Sequence, residues 1–147
     1  MKAKYFLVVL LLAAIGFGGW FYHQDREFRQ VHGTVTEVTY LNWSQEVEGS
    51  VKKLPVLIYF YDGSSAVAEK QHVEVNDFAW DNAGQVKVVR CDVSKPENLL
   101  LAIAHGALRQ PAFVLLYGDD VVFGSAGAFA TEEQLEYLLS QKPKQKP

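Results

Sequence analysis

The chain has 147 residues, a formal net charge of −3 and one cysteine, and 49% of its residues are hydrophobic. This length suits one domain with a short appendage, and the apolar content excludes disorder over most of the chain. One cysteine excludes an intramolecular disulfide, a CxxC redox pair and a multi-thiolate metal site, while the weak charge argues against a general nucleic-acid binder.

The first predicted element is an apolar helix. Residues 5–22 (YFLVVLLLAAIGFGGWFY) carry no charged side chain and end in an aromatic triplet suited to a membrane interface. Lys2 and Lys4 precede this segment, so the positive-inside rule places the N-terminus in the cytoplasm. We expect a single-pass transmembrane signal-anchor over residues 1–22, with the rest of the chain in the periplasm of a bacterium. A cleaved signal peptide is the alternative.

Small residues within this segment predict a helix-packing face. They are Ala14, Gly16, Gly18 and Gly19. Small side chains let two transmembrane helices approach closely, so we expect lateral association with another membrane protein. An ordinary anchor rich in small residues is the alternative.

Composition divides the remainder into three parts. Residues 23–33 are polar and predict a juxtamembrane spacer, residues 34–140 carry a globular pattern, and residues 141–147 predict a disordered basic tail. Because five of the fourteen basic residues lie in the anchor and the tail, the domain between them is acidic. An acidic surface serves solubility or, alternatively, attracts a basic partner.

The domain pattern alternates strands and helices. Alternating and continuous apolar runs predict five strands, at residues 34–41, 54–61, 86–91, 112–117 and 121–123. Capping residues and helical periodicity predict helices that begin at Asn42, near residue 66, at Ser94-Lys-Pro-Glu97 and at Thr131-Glu-Glu-Gln134. This order predicts an α/β fold with a mixed central sheet and helices on both faces.

Over residues 34–140 the chain resembles the thioredoxin family. The matching landmarks, in order, are LPVLIYFY at 54–61, Cys91-Asp92-Val93 with Lys95-Pro96, the stretch His105–Pro111, and Gly127-Ala128-Phe129. The resemblance implies a thioredoxin-like fold in which Pro111 corresponds to the family's cis-proline.

The chemistry of that family does not carry over. Where thioredoxins have Trp-Cys-Gly-Pro-Cys, this chain has Ser64-Ser65-Ala66-Val67-Ala68, and Tyr59 corresponds to the family's buried carboxylate. Disulfide exchange needs a thiolate of low pKa and a resolving thiol, and a serine hydroxyl is far too weak an acid. We therefore expect no oxidoreductase activity, and we interpret Ser64 and Ser65 as turn and N-cap residues.

The resemblance still implies a binding surface. Thioredoxin-like proteins pair backbone groups beside the cis-proline with an extended segment of a partner. The corresponding residues here are Tyr61, Asp62, Gly63, Ser64, Gln110 and Pro111. The alternatives are that Pro111 only forms a turn and that Asp62 is a solvated turn aspartate.

The remaining reactive side chains predict no further site. Cys91 ends an interior strand, where a cysteine is usually a small buried hydrophobic residue, and an exposed thiol open to modification is the alternative. The four histidines lack the spacing of metal ligands. We expect no metal, cofactor, nucleic acid or small-molecule substrate.

Three functions are compatible with this pattern. The leading one is a membrane-tethered, redox-inactive interaction module, an accessory or assembly subunit of a membrane or envelope complex on the extracytoplasmic side. The second is a periplasmic chaperone or carrier that binds extended segments beside Pro111. The third is thiol chemistry at Cys91.

Overall fold

The structure is a computed structural model. It describes residues 2–141, with the side chains of residues 2–7 and of residue 123 excepted. The helices are α1 (Lys2–His32), α2 (Gly49–Val51), α3 (Ala66–Asp81), α4 (Pro96–Ala104) and α5 (Glu132–Ser140), and a π-helical segment, Ser44–Glu48, leads into α2. The strands are β1 (Thr36–Val38), β2 (Val56–Tyr61), β3 (Lys87–Asp92), β4 (Ala112–Tyr117) and β5 (Asp120–Ala126).

The described strands form one five-stranded sheet in the order β1-β3-β2-β4-β5. Strands β1, β3 and β2 are parallel, and β4 and β5 are antiparallel to their neighbours. The predicted mixed sheet is therefore confirmed. Because β2 and β3 are parallel neighbours, the loops that follow them lie at the same edge of the sheet.

Strand β2 is buried along its whole length. Val56, Ile58 and Phe60 belong to the core on the side of α2 and α4. The alternate residues, Leu57, Tyr59 and Tyr61, belong to the core on the side of α3 and α5. The apolar run is therefore continuous because both faces of this strand are buried, as the sequence predicts.

Of the four predicted helix starts, the caps at Asn42 and Ser94 are wrong, while the starts near residue 66 and at Thr131 are confirmed. Asn42 does not cap the following helix, because its Oδ1 accepts from the backbone N–H of Thr39 at 2.7 Å. The N-cap of α4 is Lys95, without a side-chain cap, and Ser94 lies in the turn before it, where its backbone N–H (3.0 Å) and its hydroxyl (2.7 Å) donate to Asp92 Oδ1. The capping box of Thr131 and Gln134 is present at the start of α5.

Helix α1 continues through residues 23–32, most of the predicted spacer. Within the part of the chain that the structure describes, no helix meets the length and hydropathy needed to cross a membrane. Met1 lies outside the described residues, and so do residues 142–147, which make up most of the predicted basic tail.

The C-terminal end of α1 is docked on the domain. Arg29 Nη1 donates to the backbone carbonyl of Trp80 at 2.9 Å and lies 3.7 Å from Asp81 Oδ1. The ring of Phe28 approaches Gly84 so closely that a Cβ at that residue would lie 2.8 Å from Phe28 Cζ. Gly84 also has a φ of +79°, so glycine suits this position for two reasons.

Candidate functional site

The candidate site lies at the edge of the sheet where β2 ends. The loop after β2 and the loop before β4 meet there, and the Gln110–Pro111 peptide bond is cis. The backbone N–H of Gly127 donates to the carbonyls of Arg109 (3.1 Å) and Pro111 (2.9 Å), which holds the second loop against β5.

The two loops enclose a small cavity of about 100 Å³. It is lined by Tyr59, Tyr61, Asp62, Ser65, Val67, Ala68, Gln110 and Pro111. Four of the six predicted binding residues therefore share one cavity. The other two, Gly63 and Ser64, line a neighbouring depression together with His72 and Asp92.

The loop after β2 is held by its own side chains. The Asp62 carboxylate accepts from the backbone N–H of Ser64 at 2.9 Å and from its hydroxyl at 2.6 Å. These hydrogen bonds lower the pKa of Asp62. Ser65 is the N-cap of α3, and its hydroxyl oxygen accepts from the backbone N–H of Val67 at 3.3 Å. The interpretation of both serines as turn and cap residues is confirmed.

Asp92 is a site residue that sequence reasoning missed. Its Oδ1 accepts from the backbone N–H groups of Gly63 and Ser94, each at 3.0 Å, and from the Ser94 hydroxyl at 2.7 Å. A Cβ at Gly63 would lie 2.6 Å from Asp92 Oδ2, so the loop requires glycine there. The position of Asp92 at the end of the strand next to β2 was the available signal.

Hydrogen bonds keep Asp92 ionised. Burial by itself would raise the pKa of this carboxyl. The hydrogen bonds from Ser94 and Gly63, with the nearby Lys95 ammonium, outweigh burial and lower the pKa below its ordinary value. The charged carboxylate thus fastens the loop after β2 to the end of β3.

Tyr59 occupies the floor of the site. Its side chain is 0% exposed, and its ring stacks on Phe113 with centroids 5.1 Å apart. Among the described residues the Tyr59 hydroxyl has no hydrogen-bond partner. Burial raises the pKa of Tyr59 above its ordinary value, so this hydroxyl is neutral at physiological pH, unlike a carboxylate.

A polar network lies beside the cavity. The Tyr61 hydroxyl donates to Glu37 Oε1 at 2.9 Å, and Arg90 Nε donates to Glu37 Oε2 at 2.6 Å. The ring of His72 meets Tyr61 edge-on, with centroids 4.8 Å apart, and burial lowers its pKa. Sequence reasoning did not connect Glu37, His72 and Arg90 with the site, because each comes from a different element.

Cys91 lies in the core on the side of α2 and α4, and its side chain is 0% exposed. Burial raises the pKa of the thiol to about 12, so it stays protonated at neutral pH and is a poor nucleophile. The prediction of a buried, hydrophobic cysteine is confirmed. The alternative of an exposed strand end is wrong, because the strands on both sides of β3 and the adjoining core cover the thiol.

The other sequence-predicted positions lie apart from the site. Ala14, Gly16, Gly18 and Gly19 are exposed on α1, where a Cβ at any of the three glycines would meet nothing within 4 Å. Among residues 2–141 no group of three or more His, Cys, Asp or Glu is placed to hold a metal ion.

No protein-family model and no curated protein sequence matches this chain. Solved structures do match. The long form of thioredoxin f from spinach chloroplast superposes with a TM-score of 0.65 at 22% identity, over 78% of this chain and 92% of that one. The chain has a thioredoxin-like fold.

Two further structures agree with this thioredoxin-like fold. A chloroplastic thioredoxin z gives a TM-score of 0.62 at 19% identity, over 74% of this chain and 93% of that one. A mutant thioredoxin from Halobacterium salinarum NRC-1 gives 0.64 at 21% identity, over 79% and 96%. These identities establish the fold alone, and the site of the thioredoxin-like domain has to be interpreted from its own residues.

Proposed function

We propose that this chain is a membrane-tethered, redox-inactive thioredoxin-like interaction module, an accessory or assembly subunit of a membrane or envelope complex. The observation that carries the proposal is the site itself. The loops and the cis-proline are in place, while Ser65, Ala68 and Tyr59 occupy the positions that disulfide chemistry needs. The chain would reside in the bacterial inner membrane, with its N-terminus in the cytoplasm and its domain in the periplasm.

Exposed apolar side chains on α1 support the tether. Large apolar residues between Val8 and Phe21 are more than half exposed on every side of the helix, and none of the domain covers them. A helix that is apolar all round needs an apolar surrounding. The uncharged run of residues 5–22, with aromatic residues at its end, favours a lipid bilayer as that apolar surrounding.

The docked end of α1 sets where the site faces. Helix α3 has 16 residues and begins at the site with Ala66 and ends at Trp80 and Asp81, where α1 is docked. At about 1.5 Å per residue, α3 separates the two by about 24 Å. A tether at one end therefore leaves the cleft at the other end open to a partner.

Membrane fractionation tests the tether. We expect the full chain to sediment with membranes and resist alkaline carbonate extraction. A variant that lacks residues 2–22 should be extracted, because it has lost the apolar run. Release of the full chain by carbonate would contradict the tether.

Insulin-disulfide reduction tests redox inactivity. The full chain in a mild detergent should reduce insulin no faster than its Cys91→Ser variant. The matched control is the double variant Ser65→Cys, Ala68→Cys, which places a dithiol at the N-terminus of α3 and should gain measurable turnover. Turnover of the wild-type chain above that of Cys91→Ser contradicts the proposal.

Co-purification tests the accessory role. A C-terminally tagged chain, purified in mild detergent, should bring a membrane or envelope protein with it in a fixed ratio, as identified by mass spectrometry. Recovery of the chain alone as a monomer would overturn the role as a subunit.

A second function is favoured by the cavity beside Pro111. A periplasmic chaperone or carrier would hold extended client segments there by pairing with the backbone of the loop. Stoichiometry separates the two functions, because a subunit co-purifies in a fixed ratio whereas a chaperone recovers many clients in small and variable amounts. Thiol chemistry at Cys91 is not carried forward, since its thiol is buried and protonated.

A further inference from the structure

Helix α4 is apolar on two opposite faces. Its inward residues Leu101 and Ala102 are buried in the core on the side of α2. The residues of its outward face, which we call the α4 stripe, are all apolar and all exposed: Pro96, Leu99, Leu100, Ile103 and Ala104. A surface helix of a globular domain normally has polar side chains opposite its core face. The described part of the chain leaves this second apolar face open to solvent.

The α4 stripe has the spacing of a helix-packing seam. Its members follow one another at intervals of three, one, three and one residues, so they line one side of the helix. Leu100, in the middle of the stripe, is 67% exposed. Leucine and isoleucine at such intervals pack well against a second helix with the same spacing.

The loop after β1 enlarges this surface. The backbone N–H of Tyr40 donates to Asn98 Oδ1 at 3.0 Å, and Asn98 is a buried residue of α4. This hydrogen bond holds the loop beside the helix. The side chain of Tyr40 is 62% exposed and that of Leu41 is 93% exposed. The loop therefore adds two large apolar side chains to the exposed surface beside α4.

The area of this surface is that of an interface. The exposed parts of the five large side chains, three in the stripe and two in the loop, amount to roughly 400 Å² of apolar area. One side of a standard protein interface buries roughly 800 Å², of which somewhat more than half is apolar. The surface is therefore large enough to supply the apolar part of a stable dimer interface.

The charges beside the stripe fit a second copy of the chain. Lys95 and Glu97 stand on either side of Pro96, and both are exposed. Because a helix turns by about 100° per residue, these two side chains lie on opposite flanks of the stripe. When two identical helices pair in parallel, opposite flanks meet. Lys95 of one protomer then approaches the partner's Glu97, and the twofold axis repeats this pair of opposite charges.

We propose that this chain forms a parallel homodimer through the α4 stripe and the loop after β1, with the twofold axis along the stripe. An axis in this direction keeps the attachment points of α1 in the two protomers at the same end of the dimer, as one shared membrane requires. The dimer goes beyond the proposed function, because it is an association of the chain with itself and is measured on the purified chain alone.

The oligomeric state tests the dimer. We expect the full chain, purified in a mild detergent, to be dimeric by sedimentation equilibrium. Leu100→Glu places two like charges against each other at the axis and should raise the dimer dissociation constant at least tenfold. The matched control is Val73→Glu on α3, where the side chain is 57% exposed, and it should leave the constant unchanged. A monomeric wild-type chain overturns the proposal. A dimer that persists in Leu100→Glu also overturns it, because the association then lies elsewhere, for example on α1.

A charge exchange tests the parallel arrangement. Glu97→Lys brings two lysines together on each flank and should raise the dissociation constant about threefold, as exposed ion pairs contribute little each. The double variant Lys95→Glu, Glu97→Lys restores both pairs of opposite charges and should return the constant to the wild-type value. Weakening without this rescue contradicts the parallel pairing.

Cross-linking in membranes tests the occupant of the stripe. Leu100→Cys should form a disulfide-linked dimer on mild oxidation, while Val73→Cys should not. Cys91 is buried and does not compete. A disulfide between Leu100→Cys and a different protein would show that another partner covers the stripe, and would overturn the homodimer while leaving the accessory role intact.

Discussion

The two ends of the thioredoxin-like domain are held by different forces. At the site end, one charged carboxylate, Asp92, fastens the loop after β2 through hydrogen bonds from Gly63 and Ser94. At the opposite end, α1 is attached by the close approach of the Phe28 ring to Gly84 and by Arg29. One end is held by polar contacts alone, and the other combines the polar contacts of Arg29 with a packing contact that only a glycine at residue 84 permits.

This difference shows that no thiol is needed to shape the site loop of this thioredoxin-like domain. The groups that shape the site loop are main-chain N–H groups, Asp62, Asp92 and two serines, and none of them is a thiol. The loop is therefore held without a cysteine. The cleft lies at this end of the domain, and α1 is attached at the other end.

Among the substitutions that test this comparison, Gly84→Ala should lower the free energy of unfolding most. A residue with a Cβ at this positive φ lowers the free energy of unfolding by about 1–2 kcal/mol. Displacement of the half-buried Phe28 ring lowers it further, by part of the roughly 1.5–3 kcal/mol that full burial of an aromatic side chain contributes. We expect a loss of about 3 kcal/mol in the free energy of unfolding and faster tryptic cleavage at Arg26 and Arg29.

Gly106→Ala is the matched control for that substitution. Gly106 has a similar φ of +71°, but nothing lies within 4 Å of its Cβ position. It should show the backbone cost alone and leave the tryptic pattern unchanged. Equal losses in the two variants would show that Phe28 does not fasten α1 to the domain.

Asp92→Asn tests the site end. The folded pKa of Asp92 lies below the ordinary value of 3.8, so its contribution is fully present above about pH 4 and is lost as the pH falls through the folded pKa. We expect a loss of about 2 kcal/mol at pH 7, measured by urea unfolding in mild detergent, and a shallower loss of stability on acidification than in the wild type.

Asp62→Asn is the control for that carboxylate, because Asp62 bonds only within its own loop. Its loss should be well under half that of Asp92→Asn. If both variants lost the same free energy of unfolding, the hydrogen bonds of Asp92 would stabilise the site end no more than those of Asp62.

Cys91→Ser tests whether the site end depends on its only thiol. A buried hydroxyl without a partner costs about 1–3 kcal/mol, and we expect a loss of about 1.5 kcal/mol. Co-purification of the partner should be unchanged, and unchanged again in Cys91→Ala. If both variants folded but no longer co-purified the partner, Cys91 would be needed for partner binding.

Ser65→Ala should have a smaller effect than Gly84→Ala, Asp92→Asn or Cys91→Ser. Loss of an N-cap hydroxyl costs about 1 kcal/mol, and the remaining turn is held by Asp62. Ser64→Ala, which removes a hydroxyl that only donates to Asp62, should cost less still. A larger loss in Ser64→Ala, by thermal unfolding, would place the main support of the turn at Ser64 instead of Ser65.

Much of the fold follows from local patterns. The run at residues 54–61 predicted a strand covered on both faces, and Thr131 with Gln134 predicted a capping box, because both signals reside in contiguous residues. The capping box predicted at Ser94 failed because Asp92, two residues earlier, accepts from both the backbone N–H and the hydroxyl of Ser94, and the helix begins one residue later, with Lys95 as its N-cap. A local motif does not show that a neighbouring carboxylate holds the serine outside the helix.

The site was predicted only in part, for a similar reason. Tyr61, Asp62, Gln110 and Pro111 came from matching landmarks, and the structure brings them together. Glu37, His72 and Asp92 were missed, because their place in the site depends on strand pairing and on helix packing between distant segments. The docking of Phe28 on Gly84 was missed as well, since the polar composition of residues 23–33 is that of a spacer.

The sequence by itself determined that this chain has no pair of thiols. It has one cysteine, and Ser65 and Ala68 stand where the resemblance to thioredoxins places the CxxC pair, so a dithiol within one chain is excluded whatever the fold. Only the tertiary structure decided that Cys91 is buried and that the Tyr59 hydroxyl has no partner within residues 2–141 as the structure describes them. Residue type sets which bonds a group can make, whereas burial and partnering depend on contacts between segments far apart in the chain.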